Sequence, residues 1–307
     1  MGPDSDLTEG IFMGKAGAAR AGALGIIGGS GLYEIEGLQN TRWERVSSPF
    51  GEPSDEFFFG ELDGRSLVFL PRHGRGHRIA PGDINYRANI DAMKRAGVTE
   101  ILSLSAVGSL REELAPGSFV IVDQFIDRTT REKSFFGTGL VAHVAMARPV
   151  CARLGRAVAA TCRSNGIPHV EGGTYLVMEG PHFSTLAESK FYRAAGLDVI
   201  GMTNMPEAAL AREAEICYAS VAMVTDYDCW HPDHDDVTVE AILKILFANG
   251  DKARELVCQI VPLVDGNGAC PEGCNRALDN AIVTAEDVRD PDLMKKLDAV
   301  AGRVLKP

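Results

Sequence analysis

Short apolar runs closed by small or polar residues recur along the chain, and between them apolar positions fall at helical spacing. Residues 24–28, 57–59, 66–70, 100–105, 118–122, 173–179, 198–202 and 216–224 read as strands. The second and third of these form a hairpin around Asp63-Gly64. Residues 83–95, 149–165, 185–195, 207–213, 237–256 and a stretch near 293–304 read as helices, with Asp83 capping the first. Strands alternating with helices predict an α/β fold of three layers. No internal repeat or linker-like segment interrupts 24–256, so 23–307 reads as one domain, with 257–307 as its tail. Residues 1–22, rich in Gly and Ala, are expected to form a flexible extension, with Met13 as a candidate start. The apolar run after them is short and leads straight into Gly28-Gly29-Ser30-Gly31, which argues against a signal peptide.

The polar residues that carry chemistry gather just past the strand ends, where open α/β sheets bind their ligands. The run 216–224 ends in Thr225-Asp226-Tyr227-Asp228. If the backbone stays extended, Asp226 and Asp228 point to one side. Paired carboxylates there suit a ligand edge rich in donors, or general acid work, because each charge raises the other's pKa. The first strand ends in Gly28-Gly29-Ser30-Gly31, a turn whose N–H groups and hydroxyl could cradle an anion. The turn lacks the third glycine of a dinucleotide fingerprint, and Leu32 stands where a nucleophile elbow needs glycine. The strand 66–70 runs into Pro71-Arg72-His73-Gly74-Arg75-Gly76-His77-Arg78, the one dense basic cluster in the sequence. Arginine forks match phosphate geometry, and a neighbouring histidine adds a tunable donor. Ser105-Ala106, His182-Phe183-Ser184 and Met202-Thr203 close three further strands.

Charge and composition narrow the partners. A formal net charge of −11 argues against nucleic acid and against anionic membrane. No apolar run reaches the ~18 residues of a membrane-spanning helix. Seven cysteines, an odd number, lie mostly in expected core segments. Cys270 and Cys274 alone share a turn-rich stretch, and the sequence offers no second pair to complete a zinc site, so free thiols or a reversible disulfide in a reduced cytoplasm are expected. No metal-ligand spacing appears elsewhere.

Taken together and in order, GIIGGSG (25–31), PRHGRGH (71–77), SAVGSL (105–110), DQFIDRTT (123–130), EGPHFS (179–184), MTNMPE (202–207) and TDYDCW (225–230) resemble the trimeric purine nucleoside phosphorylase family, and within it the branch that takes 5'-methylthioadenosine. The resemblance implies a central mixed sheet between helical layers and a homotrimer. It implies phosphate held by Ser30, Arg72, His73, Ser105, Ala106 and Thr203. Met202 would lie under the ribose and Phe183 beside the base and sugar, while Asp226 and Asp228 would address N7 and the 6-amino group. His143 of a neighbouring copy would close the 5' end, which the family's C-terminal helix also shapes. Ser184, Asp226 and Val239 stand where the 6-oxopurine enzymes carry Glu, Asn and His, and an apolar Val239 suits a methylthio group.

The implied reaction is phosphorolysis of the N-glycosidic bond to adenine and 5-methylthioribose 1-phosphate, with phosphate as co-substrate and no cofactor. A free Asp, of pKa ~3.9, holds no proton at neutral pH, so Asp226 is expected to be raised by burial and by the charge of Asp228. The alternatives are a 6-oxopurine nucleoside or methylthioinosine phosphorylase, a hydrolytic nucleosidase, and a catalytically silent nucleoside-binding module.

Overall fold

A computed structural model of the chain describes residues 22–29, 31–232, 239–264, 266 and 269–305, with the side chains of 239–244 outside that description. Among the described residues eleven strands form one mixed sheet: β1 (Ala23–Gly28), β2 (Gln39–Glu44), β3 (Phe57–Leu62), β4 (Arg65–Pro71), β5 (Val98–Ser109), β6 (Phe119–Val122), β7 (Gln124–Asp127), β8 (His169–Glu171), β9 (Thr174–Val177), β10 (Val199–Gly201) and β11 (Cys217–Asp226). The helices are α1 (Tyr86–Arg95), α2 (Ala152–Ser164), α3 (Leu186–Ala194), α4 (Asn204–Glu213), α5 (Val239–Ile260), α6 (Pro291–Lys296) and α7 (Gly302–Leu305).

The sheet runs β2-β3-β4-β1-β5-β10-β9-β7, and a branch leaves β5 through β11 and β6 to β8. The parallel core is β4, β1, β5 and β11, while β10 and β6 join it antiparallel. Strands covered on both faces read as continuous apolar runs, and β1 and β11 do so. Period two sorts their side chains between layers. Cys217, Ala219, Val221 and Met223 pack with Leu154 and Val158 of α2 and Leu256 and Ile260 of α5. Tyr218 faces the other way, into a cluster with Ile90 of α1 and Leu210 of α4. The tail joins that second layer through Leu278, Leu297, Val300 and Ala301.

Three strands escape the sequence reading, β2, β7 and β8, and all three are sheet edges or branch ends with largely exposed or half-exposed residues. An edge strand needs no apolar run, and polar residues there discourage edge-to-edge pairing. β5 outruns its expected end at Ser105. Ala106 and Val107 pair with β11, and Gly108 and Ser109 with β10, so the small residues bridge two directions of the sheet. The first helix is capped by Asn85, whose side chain accepts the Ala88 N–H at 3.1 Å. Asp83 instead lies in a single 3-10 turn, Pro81–Asp83. The expected last helix is broken in two, and Leu297 caps the first piece.

Candidate active site

The strand ends converge on a cavity of about 400 Å³. Gly29, Arg72, His73, Ser105, Ala106, Met202, Thr203, Phe183, Asp226 and Asp228 line it. Arg72 bonds the Leu104 carbonyl, and Asp226 pairs with Gly108 four residues further along β5, which sets the cation apart from the carboxylates. Its walls are mainly apolar, with Val107, Ile200, Met223 and Leu246 of α5 among them. Such a cavity, with a few convergent polar groups, is the form small-molecule sites take.

A bulge sets the carboxylate end. The β5–β11 register shifts between Val224 and Asp226, so Thr225 is the extra residue. Its hydroxyl lies 3.2 Å from the Val107 carbonyl and 2.7 Å from Asp226 Oδ2. The strand then stops at Asp226, and Asp228 takes a left-handed φ of 54°. The two carboxylates therefore share the cavity through a bulge and a sharp turn, where an extended backbone was expected. The turn is closed by the Asp228 N–H, which donates to Asp226 Oδ1 at 2.8 Å. Gly108 makes room for both: a Cβ there would meet Asp226 Oδ1 at 3.0 Å and Asp228 Cβ at 3.3 Å.

Burial raises the pKa of both carboxyls, by different routes. Asp226 is pushed up by burial, against the Thr225 hydroxyl and the Asp228 N–H, which favour its charged form. Asp228 is pushed up to about 6 by burial, with the charge of Asp226 adding to it and the Ser189 hydroxyl opposing. The mutual repulsion expected to lift Asp226 thus falls on Asp228, because Asp226 holds the better donors. Groups this close titrate as a pair. At neutral pH, deprotonated Asp228 is a buried charge beside a like charge. Folding favours its protonated form below about pH 4, and that contribution is lost as pH rises through about 6. Asp228→Asn should therefore stabilise the fold at pH 8 by on the order of 2–3 kcal/mol, seen as a raised thermal midpoint, and change it little near pH 4. A midpoint difference that does not shrink on acidification would show that Asp228 is not the strained group.

At the opposite end Arg72 is buried, and its fork is already taken. Nε and Nη2 donate to Glu207 Oε2 and Oε1 at 2.8 and 3.1 Å. Nη1 donates to the Leu104 carbonyl at 3.0 Å, and Nη2 also reaches Ser103 Oγ at 2.6 Å and the Ile27 carbonyl at 3.3 Å. A two-pronged grip on phosphate, as the motif alone suggests, is thus not on offer. What Arg72 has left at the cavity wall is one Nη1 proton and a positive charge. Beneath it Glu207 also accepts from Ser103 Oγ and the Tyr218 hydroxyl. Asn204 ties Ser105, Ser103, Ser220 and Tyr218 together. A buried network satisfied this fully fixes the groups above it.

His73 is held below its ordinary pKa, at about 4, by burial, with Arg72 and His77 adding to the effect. It is therefore neutral near pH 7. Nδ1–H donates to the Ile79 carbonyl at 2.9 Å, so Nε2 is an acceptor. The His77 ring stacks on it, centroids 4.2 Å apart. Ser105 and Thr203 flank the buried Tyr175 hydroxyl.

Arg131, which the sequence reading left without a role, anchors Met202 of the cavity wall. It donates to the Met202 and Glu179 carbonyls, both at 2.7 Å, and to the Glu179 side chain at 2.8 Å. Its signal in the sequence is only a charged residue in a loop. Met202 packs so close to Gly180 that a Cβ there would lie 2.5 Å from its Sδ.

Of the residues singled out from the sequence, Arg72, His73, Ser105, Ala106, Thr203, Phe183, Met202, Asp226 and Asp228 line this one cavity. Ser184 stands just behind it, beside Asp228. His143 is exposed and lies outside the cavity of its own chain. Ser30 lies outside the described residues, although its neighbour Gly29 lines the cavity. Val239 opens α5, and its side chain is outside the description. No described residue of the tail lines the cavity. Leu246 of α5 does.

Known proteins place the chain in the same class. Residues 23–262 match the model of the phosphorylase superfamily. The S-methyl-5'-thioadenosine phosphorylase of Rhodospirillum rubrum is 64% identical over 94% of this chain and 99% of its own. That of Cereibacter sphaeroides is 61% identical over 92% and 98%. Among solved structures, a methylthioadenosine phosphorylase from an antarctic soil metagenomic library superposes with a TM-score of 0.86 at 44% identity, covering 92% of this chain and 99% of that one. The methylthioadenosine phosphorylase of Schistosoma mansoni in complex with adenine gives 0.78 at 38% identity, covering 85% and 99%. The chain belongs to the phosphorylase superfamily and, within it, to the family of the S-methyl-5'-thioadenosine phosphorylases.

Proposed function

We propose that the cavity binds S-methyl-5'-thioadenosine against inorganic phosphate and transfers the methylthioribosyl group, releasing adenine. The observation that supports it best is one mainly apolar cavity lined both by Arg72, beside Leu104, and by a carboxylate pair beside Gly108, four residues further along β5. Phosphate belongs at the Arg72 end. One Nη1 proton, the Thr203 hydroxyl and the Ala106 N–H would donate to it, the Ser105 hydroxyl would do so on turning from Asn204 Oδ1, and the neutral His73 Nε2 would accept from its P–OH. Holding the dianion next to an oxocarbenium-like sugar supplies positioning and charge stabilisation together. The leaving base needs a proton at N7. Burial raises both carboxyls, Asp228 to about 6, so the pair is partly protonated just below neutral pH and can supply that proton. Asp226 is fixed by two donors, and we assign it to N7; Asp228 accepts from the 6-amino group. The reaction needs no resident cofactor in this scheme.

His143 bears on assembly. Exposed and outside the cavity of its own chain, it is placed where a neighbouring copy could meet it, as the homotrimer reading requires. Among the described residues no helix is long and apolar enough to cross a membrane. The cytoplasmic location is our reading of the seven free thiols, which a reducing compartment preserves.

Adenine release from methylthioadenosine should require phosphate, and arsenate should substitute for it. Release at an equal rate in phosphate-free buffer would mean that water is the acceptor. Inosine should be a poor substrate, because its 6-oxo group faces a carboxylate where the amino group donates.

A further inference from the structure

Far from the cavity, four of the seven cysteines meet. The ligand atoms of Cys151, Cys217, Cys270 and Cys274 all lie within 4.8 Å of one another, and all four are free thiols. They come from three separate parts of the fold. Cys151 caps the N-terminus of α2, Cys217 opens β11, and Cys270 and Cys274 flank a turn of the tail. The second pair that the sequence could not supply is made by two residues 66 positions apart, brought together by the docking of α2 on β11. Cys151 Sγ lies 3.6 Å from Cys270 Sγ. Four sulfurs ~2.3 Å from a tetrahedral zinc stand ~3.8 Å from each other, so this set needs only a small contraction.

We propose that Cys151, Cys217, Cys270 and Cys274 form a closed four-thiolate site for a structural zinc ion, which pins the tail to the base of β11.

The surroundings suit such an ion. A zinc tetrathiolate carries two net negative charges and needs donors around it. Arg212 Nη1 stands 3.6 Å from Cys274 Sγ, and Arg153 reaches Cys217. The Leu154 N–H, at the positive end of α2, reaches Cys151. The Cys270 N–H donates to the Asn275 side chain at 3.1 Å, which shapes the turn for two ligands. A cavity of about 260 Å³, lined by Cys217, Cys270, Arg153 and Lys94, opens beside the cluster and offers an entry path. Binding replaces the remaining S–H protons, which leave to solvent, and no oxidation is involved.

The location gives the role. β11 begins at Cys217 and ends at Asp226, so the staple and the proposed acid stand roughly 30 Å apart at opposite ends of one strand. The site is structural, since four protein ligands leave no open position.

The test uses the full chain, purified under reducing conditions, then stripped and reloaded with Zn²⁺ or Co²⁺ alone. We expect one zinc per chain, and with cobalt the intense visible absorption of a tetrahedral thiolate complex. Cys270→Ser and Cys151→Ser should each lose most of the metal and lower the thermal midpoint. Cys162→Ser and Cys258→Ser, outside the cluster, should keep it. Cys151 and Cys217 are deeply set and their variants could fail to fold, so the partly exposed Cys270 carries the decisive measurement. A chain that binds neither metal after reloading overturns the proposal, whether its thiols titrate freely or pair as disulfides. So does metal retained equally by Cys270→Ser.

Discussion

Asp226→Asn should lower kcat for methylthioadenosine phosphorolysis by roughly 10²–10⁴, the range of lost general acid help. Asp226 is the half-buried end of β11, aimed by the Thr225 bulge and held by two donors, the Thr225 hydroxyl and the Asp228 N–H. An amide can present its oxygen to one of these donors. Its nitrogen must then face the other or turn towards the base, where it can donate a hydrogen bond but transfers no proton. Binding of a ground-state nucleoside analogue should therefore fall much less than turnover. Asp228→Asn should behave differently. Its oxygen still accepts from a 6-amino group, and its NH₂ can now meet a 6-oxo group, so kcat/KM for inosine should rise relative to methylthioadenosine. The two variants, measured on both nucleosides, separate a rate defect from a change in base preference. Near-normal turnover of Asp226→Asn would remove it as the acid. Since Asp228 carries the more strongly raised pKa, at about 6, a large kcat loss in Asp228→Asn instead would move the proton to that residue.

What the sequence made legible, and what it did not, divides along physical lines. Buried strands such as β1 and β11 announce themselves, because both faces need apolar residues. The edges β2, β7 and β8 do not, because exposure lets them be polar. Nine residues chosen from strand-end motifs proved to share one cavity, since a parallel sheet carries its strand ends to one side. Their partners were beyond reach. Nothing local marks Glu207 as the counter-ion of Arg72, 135 positions away, or Arg131 as the anchor of Met202. The bulge at Thr225 is equally silent, because it arises from register with β5 and not from composition. The four-cysteine cluster is the plainest case: spacing rules detect ligands that are close in sequence, and two of these meet only once β11 and α2 are packed.

Those long-range partners decide what to expect of Arg72→Ala. On the motif alone the variant is a simple loss of phosphate affinity. In the folded chain it also strips Glu207, itself 2% exposed, of its only ion-pair partner among the described residues. Ser103 and Tyr218 would still donate, but a buried carboxylate without its cation costs about 3–5 kcal/mol. Arg72→Ala should thus melt several degrees early and also show a phosphate KM raised well beyond any change in nucleoside binding. The double variant Arg72→Ala with Glu207→Gln separates the two effects. Removing the stranded charge should return part of the lost stability, because an amide in that network needs no counter-ion. It cannot return a cation to the cavity, so the phosphate KM should stay high. If stability and phosphate KM recover together, Arg72 serves the fold alone, and the charge that holds phosphate must come from elsewhere along the cavity wall.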